Sequence, residues 1–218
     1  MTRNTHNNEK IHLVNLPDGY IETNKPYRLL RPHPVYILAV HDYSREGPGL
    51  MTLSWIMPLE PGEFTTIMVI DNKNYTSSLL EKNEYFTISI APCRMLKYVK
   101  YYGTKSGRYL DKALVTQIRY SYVSTNPPII VLDESPAFLI LRKEEVMRRK
   151  TTKIIISRII GSYTKTSSYD IEYDALRLRD SSCLHLYKHR FLSVDGRIIE
   201  TYMTPWGIAM RSPWRNDK

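Results

Sequence analysis

Residues 49–86, GLMTLSWIMPLEPGEFTTIMVIDNKNYTSSLLEKNEYF, decide how this chain is read. In Met51-Thr52-Leu53-Ser54-Trp55 apolar and hydroxyl side chains alternate, the period of two that gives a strand one apolar and one polar face. Pro58-Leu59-Glu60-Pro61-Gly62 then supplies a turn, since two prolines and a glycine cannot extend a ladder. A second strand is expected from Phe64 to Ile70, ending in the polar run Asp71-Asn72-Lys73-Asn74. From Tyr75 to about Lys82 the spacing becomes helical, with Leu79 and Leu80 inward and Glu81 and Lys82 outward.

The chemistry concentrates where that second strand meets the helix. Asn74 or Thr76 can cap the helix, and Ser77 and Ser78 add hydroxyls beside its first backbone N–H groups. Unpaired N–H groups, the positive end of the helix dipole and Lys73 converge there, which suits a phosphate. An ordinary capped helix after a turn would use the same residues.

Working outward, Val35-Tyr36-Ile37-Leu38-Ala39-Val40 is a strand bounded by prolines on its N-terminal side, and a loop joins it to Met51–Trp55 as a hairpin. Tyr85–Ile90 alternates again. From Arg94 to Tyr102, Met95, Leu96, Val99 and Tyr102 recur at helical spacing as a core stripe. The stretch Gly103–Lys112 is glycine-rich and basic, suited either to bringing N–H groups to a phosphate or to joining two helices. Asn126-Pro127-Pro128 breaks the chain before the apolar Ile129–Leu132. Two β-rich runs, Ser135–Leu141 and Lys153–Tyr163, read as an antiparallel pair linked by the charged segment 142–150. Tyr169–Asp174 reads as an acidic loop, and Leu184–Phe191 as a strand.

The 218 residues allow one substantial core, and 42% hydrophobic with 24% charged residues describe a globular protein. No apolar run approaches a membrane span, and the first residues, MTRNTHNNEKIHLVNLP, lack the apolar core of a secretion signal, so a cytoplasmic location is expected. Cys93 and Cys183 are expected to be reduced, structural thiols. His185 and His189 would form a metal face only on a helix, whereas their surroundings read as strand, so no metal is expected. The net charge of +9 suits nucleic acid or an anionic cofactor, but basic and acidic residues are interspersed along the chain. Residues 1–26 read as a polar arm, 27–203 as the main domain, and 204–218 as a tail. Trp206 and Trp214 are expected to pack that tail on the domain or on a second subunit.

The order of these pieces resembles the flavin reductase-like family, which includes the flavoredoxins. The matching pieces are Thr52-x-Ser54-Trp55, a Pro-rich turn, an apolar strand, a polar turn with Tyr75-Thr76, a short helix and Glu84-Tyr85-Phe86-Thr87-Ile88-Ser89-Ile90-Ala91-Pro92. A second patch, Tyr102-Gly103-Thr104-Lys105-Ser106-Gly107-Arg108-Tyr109-Leu110-Asp111-Lys112, is similar to the family's Gly…Ser-Gly…Asp-Lys segment. The resemblance spans roughly residues 31–197. It departs from the family at Ser89-Ile90-Ala91-Pro92, where an Asn-Ile-Pro-like element is usual, and at Ala113, where Phe is frequent.

The resemblance implies a mostly β fold with a few helices, an FMN-binding split β-barrel, and homodimers with flavin near the subunit interface. It implies non-covalent FMN as cofactor and NADH or NADPH as electron donor for hydride transfer to flavin. The ring would lie along Thr52, Leu53, Ser54 and Trp55, with the Thr52 and Ser54 hydroxyls as hydrogen-bonding groups. The phosphate would sit with Asp71, Asn72, Lys73, Tyr75 and Thr76, and Ser106, Gly107, Asp111 and Lys112 would contact the flavin from the second patch. No G-x-G-x-x-G precedes a helix, so a Rossmann nucleotide domain is not expected. A flavin carrier without pyridine-nucleotide activity and a flavin oxidase of a small substrate fit the same residues. A basic β-barrel stacking nucleic-acid bases on its 17 tyrosines fits less well, because no basic stripe or clustered aromatic motif accompanies them.

Overall fold

The strand that grows from Val35–Val40 is apolar at successive positions because it is covered on both faces. This strand, β2 (Tyr36–Asp42), lies inside a seven-stranded antiparallel sheet. The computed structural model describes residues 26–187, 190–194, 198–204 and 207–211. The sheet also contains β3 (Gly47–Leu53), β4 (Ile56–Pro58), β5 (Thr65–Asp71), β6 (Tyr85–Ile90), β9 (Ala137–Arg148) and β10 (Thr152–Thr164). Its order is β3-β2-β6-β9-β10-β5-β4. The two edge strands, β3 and β4, are joined by Ser54 and Trp55 alone, so the sheet must curl until its edges meet. That curled half-barrel is the split-barrel fold.

Closure corrects one expectation. Met51–Trp55 does not continue as a regular strand: the ladder to β2 stops at Leu53, paired with Tyr36, and Ser54-Trp55 forms the corner. The Trp55 carbonyl accepts from Val69 N–H at 2.9 Å, while its side chain is partly exposed. The demand of the closing sheet overrides the local alternation.

Alternation along β2 sorts two cores. Leu38 and Val40 face the barrel interior with Met51, Leu53, Met68, Ile70, Phe86 and Ile88, plugged by Leu79 and Leu80 of helix α1 (Tyr75–Lys82). Ile37 and Ala39 face outward with Leu50, and are covered by helices α2 (Leu96–Thr104) and α3 (Lys112–Thr116). Leu132 of β8 (Pro128–Leu132) joins that outer cluster. β8 pairs with β7 (Tyr120–Thr125), a strand with no clear sequence signature. One further pair is smaller: β11 (Tyr169–Asp170) with β12 (Ala175–Leu176) makes a hairpin of the acidic loop.

The charged segment 142–150 is not a linker. β9 runs on to Arg148 and pairs with β10, so only residues 149–151 turn. Opposite charges make this possible: Glu144 accepts from Arg158 at 2.6 Å, and Glu81 accepts from Lys153 at 2.6 Å and Arg148 at 3.2 Å. A second sheet, in the order β1 (His33–Pro34), β13 (Leu184–Tyr187), β14 (Arg190–Leu192), β15 (Ile198–Thr204) and β16 (Gly207–Arg211), carries the C-terminal part. The Leu184–Phe191 strand is therefore a hairpin of two, and part of the supposed tail is β16. Trp206, Trp214 and His189 lie outside the described residues.

Cys93 and Cys183 are joined as a disulfide, with Cα atoms 5.3 Å apart, which corrects the expectation of reduced thiols. Cys183 N–H also donates to Ala91 and its carbonyl accepts from Val35, so backbone contacts already seat the two sulfurs side by side. The chain divides between Leu30 and Arg31; of the first unit, only the short 3-10 turn Pro26–Leu30 is described. The expected arm otherwise falls outside the described residues.

Candidate functional site

The turn before α1 is built by Asp71, whose carboxylate accepts from Lys73 N–H at 3.0 Å and whose carbonyl accepts from Asn74 N–H at 3.1 Å. Asn74 is the residue that precedes the first turn of α1, but its side chain makes no capping bond. Ser77 N–H is satisfied by the Asn74 carbonyl at 3.0 Å. The N–H groups of Tyr75 and Thr76 have no acceptor among the described residues, and they open on a cleft of about 270 Å³.

Three stretches wall this cleft: Met51 and Thr52 of β3, Lys73–Thr76, and Tyr102–Gly107 with Lys112. In the last of these, Arg108 N–H donates to Ser106 Oγ at 3.2 Å and Tyr109 N–H to the Ser106 carbonyl at 3.4 Å. The loop thus wraps on Ser106, leaving the Ser106 and Gly107 N–H groups without acceptors among the described residues. Gly107 presses on Tyr75: a Cβ there would lie 3.0 Å from Tyr75 Cδ1. A side chain here would have to push the Tyr75 ring by a few tenths of an ångström, so glycine suits this close approach to the start of α1.

The β3 side offers backbone rather than hydroxyls. β3 pairs with β2 alone, so alternate N–H and C=O groups face away from the sheet. Leu50 is one of these, its carbonyl accepting from Lys112 Nζ at 2.8 Å; Thr52, two residues on, turns its backbone the same way. The Thr52 hydroxyl itself donates to the Val99 carbonyl of α2, which leaves it only as an acceptor toward a ligand.

Lys112 is the most perturbed cation at the site. It is 5% exposed, donates to the Leu50 and Tyr102 carbonyls at 2.8 and 2.9 Å, and has one N–H to spare. Burial holds its pKa down at about 8. Burial likewise raises the Tyr102 phenol, against its hydrogen bond with Thr116. Lys73 is exposed and pairs with Asp71 at 3.2 Å.

Of the residues expected at the site, Thr52, Lys73, Tyr75, Thr76, Ser106, Gly107 and Lys112 meet in this one cleft. Leu53, Ser54, Trp55, Asp71, Asn72 and Asp111 do not line it. Leu53 is in the barrel interior, Ser54 and Trp55 form the corner, Asn72 donates to the Arg149 carbonyl, and Asp111 caps α3 through Leu114 N–H. Asp71 acts one step back, shaping the turn. Sequence reasoning missed Met51 and Tyr102 as cleft walls, because alternation and helical spacing mark both as core.

A flavin mononucleotide fits this donor set. The backbone N–H groups of Tyr75, Thr76, Ser106 and Gly107, an uncapped helix start, Lys73 and Lys105 line one cleft and suit a dianionic phosphate, Lys112 stands by the Leu50 carbonyl, and the open edge of β3 presents amide donors and acceptors to a ring. Among the described residues, no group of His, Cys, Asp and Glu is placed to hold a metal ion, and no helix is long and apolar enough to cross a membrane.

Residues 29–180 match the family described as flavin reductase like domain, and the chain belongs to that family. The fold is shared with solved structures at low identity. A flavoredoxin from Methanosarcina acetivorans superposes with a TM-score of 0.63 at 17% identity, covering 85% of this chain and 88% of its own. An FMN-binding protein from Thermus thermophilus, solved with bound 1-cyclohex-2-enone, gives 0.65 at 20% identity over 80% and 91%. The 2-nitrobenzoate 2-nitroreductase of Pseudomonas fluorescens gives 0.69 at 14% identity over 81% and 90%. Protein YddH of Escherichia coli strain K12, described as uncharacterized, is 29% identical over 92 residues, 42% of this chain; the match spans about half of that protein, 49%.

Proposed function

We propose that this chain binds FMN non-covalently in the α1–loop–β3 cleft and acts as an NAD(P)H-dependent flavin reductase. The observation that carries this reading is the convergence on one cleft of the uncapped α1 start, the wrapped loop at Ser106-Gly107 and the free edge of β3. Tyr75, Thr76, Ser106 and Gly107 would hold the phosphate through backbone N–H groups, with Lys73 and Lys105 adding charge. Lys112 would stand between the phosphate end and the β3 edge, and Thr52 would address the ring through its backbone. Bound FMN supplies the redox chemistry, accepting hydride from a reduced nicotinamide and passing electrons onward. The protein's part is to orient the flavin and leave one ring face open to the donor.

The same reading includes a homodimer. Tyr109, Leu114 and Val115, exposed close to the Ser106-Gly107 loop, offer a second copy an apolar surface. It also includes a cytoplasmic location.

Titration of the protein, freed of any bound flavin, with FMN, read by quenching of flavin fluorescence, tests the binding. Anaerobic addition of NADH or NADPH then tests the reaction. Bleaching of the bound flavin's visible absorption supports a reductase; bound flavin that neither donor bleaches leaves a carrier.

A further inference from the structure

We infer that Arg45 positions the phosphate-holding loop and thereby sets a preference for phosphorylated over unphosphorylated flavin. Arg45 lies in the β2–β3 turn, far in sequence from the loop it holds. Its Nη1 donates to the carbonyls of Gly107 at 2.5 Å and Leu110 at 3.0 Å, and its Nη2 to that of Arg108 at 3.0 Å. Its guanidinium also stands 5.4 Å from the centre of the Tyr75 ring. Tyr75 in turn donates to Asp42 at 2.7 Å, and the Ser44 hydroxyl donates to the same carboxylate at 2.6 Å. Burial acts to raise the Asp42 carboxyl, but the hydrogen bonds from Ser44 and Tyr75, with the charge of Arg45, hold it below the usual carboxylate range. The turn is therefore braced at both ends of the cleft, on the loop through Arg45 and on α1 through Tyr75.

Peptide geometry ties this brace to anion binding. In a trans peptide the carbonyl and the following N–H point in opposite directions. Drawing the Gly107 and Arg108 carbonyls to Arg45 sends the N–H groups of Arg108 and Tyr109 the other way, onto Ser106 Oγ and the Ser106 carbonyl. Those two bonds close the wrap that leaves the Ser106 and Gly107 N–H groups unpaired at the cleft. Three carbonyls gathered by one planar donor set are a task for arginine; a lysine ammonium on a flexible stem cannot reproduce the fork. Arg45 is not among the cleft's lining residues, so it acts on a ligand only through the loop.

This inference rests on the flavin reading, and its test separates the two. Affinities for FMN and riboflavin are measured by fluorescence quenching for the wild-type chain, Arg45→Ala and Arg45→Lys, with hydrogen exchange of amides 105–111 followed in the absence of flavin. Arg45→Ala should weaken FMN about tenfold or more and riboflavin less than about threefold, and should speed exchange in 105–111 while leaving the barrel strands protected. Arg45→Lys should stay close to Arg45→Ala, and millimolar guanidinium should restore part of the FMN affinity to Arg45→Ala. An unchanged FMN-to-riboflavin ratio, or unchanged exchange in 105–111, overturns the inference. A wild-type chain that binds neither flavin overturns the proposed function and the preference with it; the brace itself is then decided by the exchange result alone.

Discussion

Lys112→Met removes the cation that the fold holds at the junction of β3, α2 and the loop, and its effect should be read as a slope against pH. Burial lowers the Lys112 pKa from 10.5 to about 8. The folded state thus prefers the neutral amine, and the unfolded chain holds the proton more tightly. Below pH 8 the folded protein carries the whole cost of that burial, of the order of 3 kcal/mol at most. Between pH 8 and 10.5 the unfolded chain binds more protons, so stability should rise across that window and level off above it. Removing the lysine also strips the Leu50 and Tyr102 carbonyls of a donor, at about 1–3 kcal/mol each, so absolute stability is a poor readout. Urea denaturation of both proteins at intervals from pH 7 to 10 isolates the slope, since the tyrosines titrate alike in each. Wild type should gain stability relative to Lys112→Met as pH rises. Parallel curves would refute the argument that a buried, depressed lysine stands in the cleft. The same titration governs a dianionic ligand: FMN affinity should fall as pH rises through 8 in the wild-type chain and stay flatter in Lys112→Met.

Further perturbations test other parts. Cys93→Ser opens a loop of sequence separation 90, for which chain entropy gives about 4–5 kcal/mol, seen as a drop in the urea midpoint that dithiothreitol reproduces in the wild-type chain. Lys73→Ala should weaken FMN binding through the lost charge while far-UV circular dichroism stays unchanged; equal affinity would mean that Lys73 adds nothing at the phosphate. A Cβ on Gly49 would collide with Leu79 Cδ1 at the plug of the barrel, so Gly49→Ala should cost about 1–3 kcal/mol in thermal or urea unfolding without altering the cleft.

Local patterns carried much of this architecture. The helix Tyr75–Lys82 and the strand Tyr85–Ile90 have the bounds their periodicity suggests, although the strand is buried on both faces, Phe86 and Ile88 in the barrel and Thr87 and Ser89 on the other side. The cleft was legible because its walls are short segments whose residue types state their chemistry: a polar turn before a helix, a glycine-rich basic loop, a strand edge. What escaped reading depends on distant partners. Nothing in Ser54-Trp55 announces that two sheet edges meet there. Tyr120–Thr125 is exposed along most of its length, so no buried face imprints an alternation, and its strand exists only beside β8. The Cys93–Cys183 pairing is set by the Ala91 and Val35 backbone contacts, which sequence spacing does not encode. Arg45 sits in a hairpin turn like any solvated arginine until the loop at Gly107 folds onto it. Asp111, which the resemblance brought to the flavin, has its carboxylate on Leu114 N–H as the cap of α3, a role only the folded helix makes visible.

The most direct test is a crystal structure of the protein grown with FMN. The account expects the phosphate against the N–H groups of Tyr75, Thr76, Ser106 and Gly107, with the ring along the Thr52 edge of β3. Phosphate density elsewhere on the barrel, or a cleft that stays empty at saturating FMN, would contradict it.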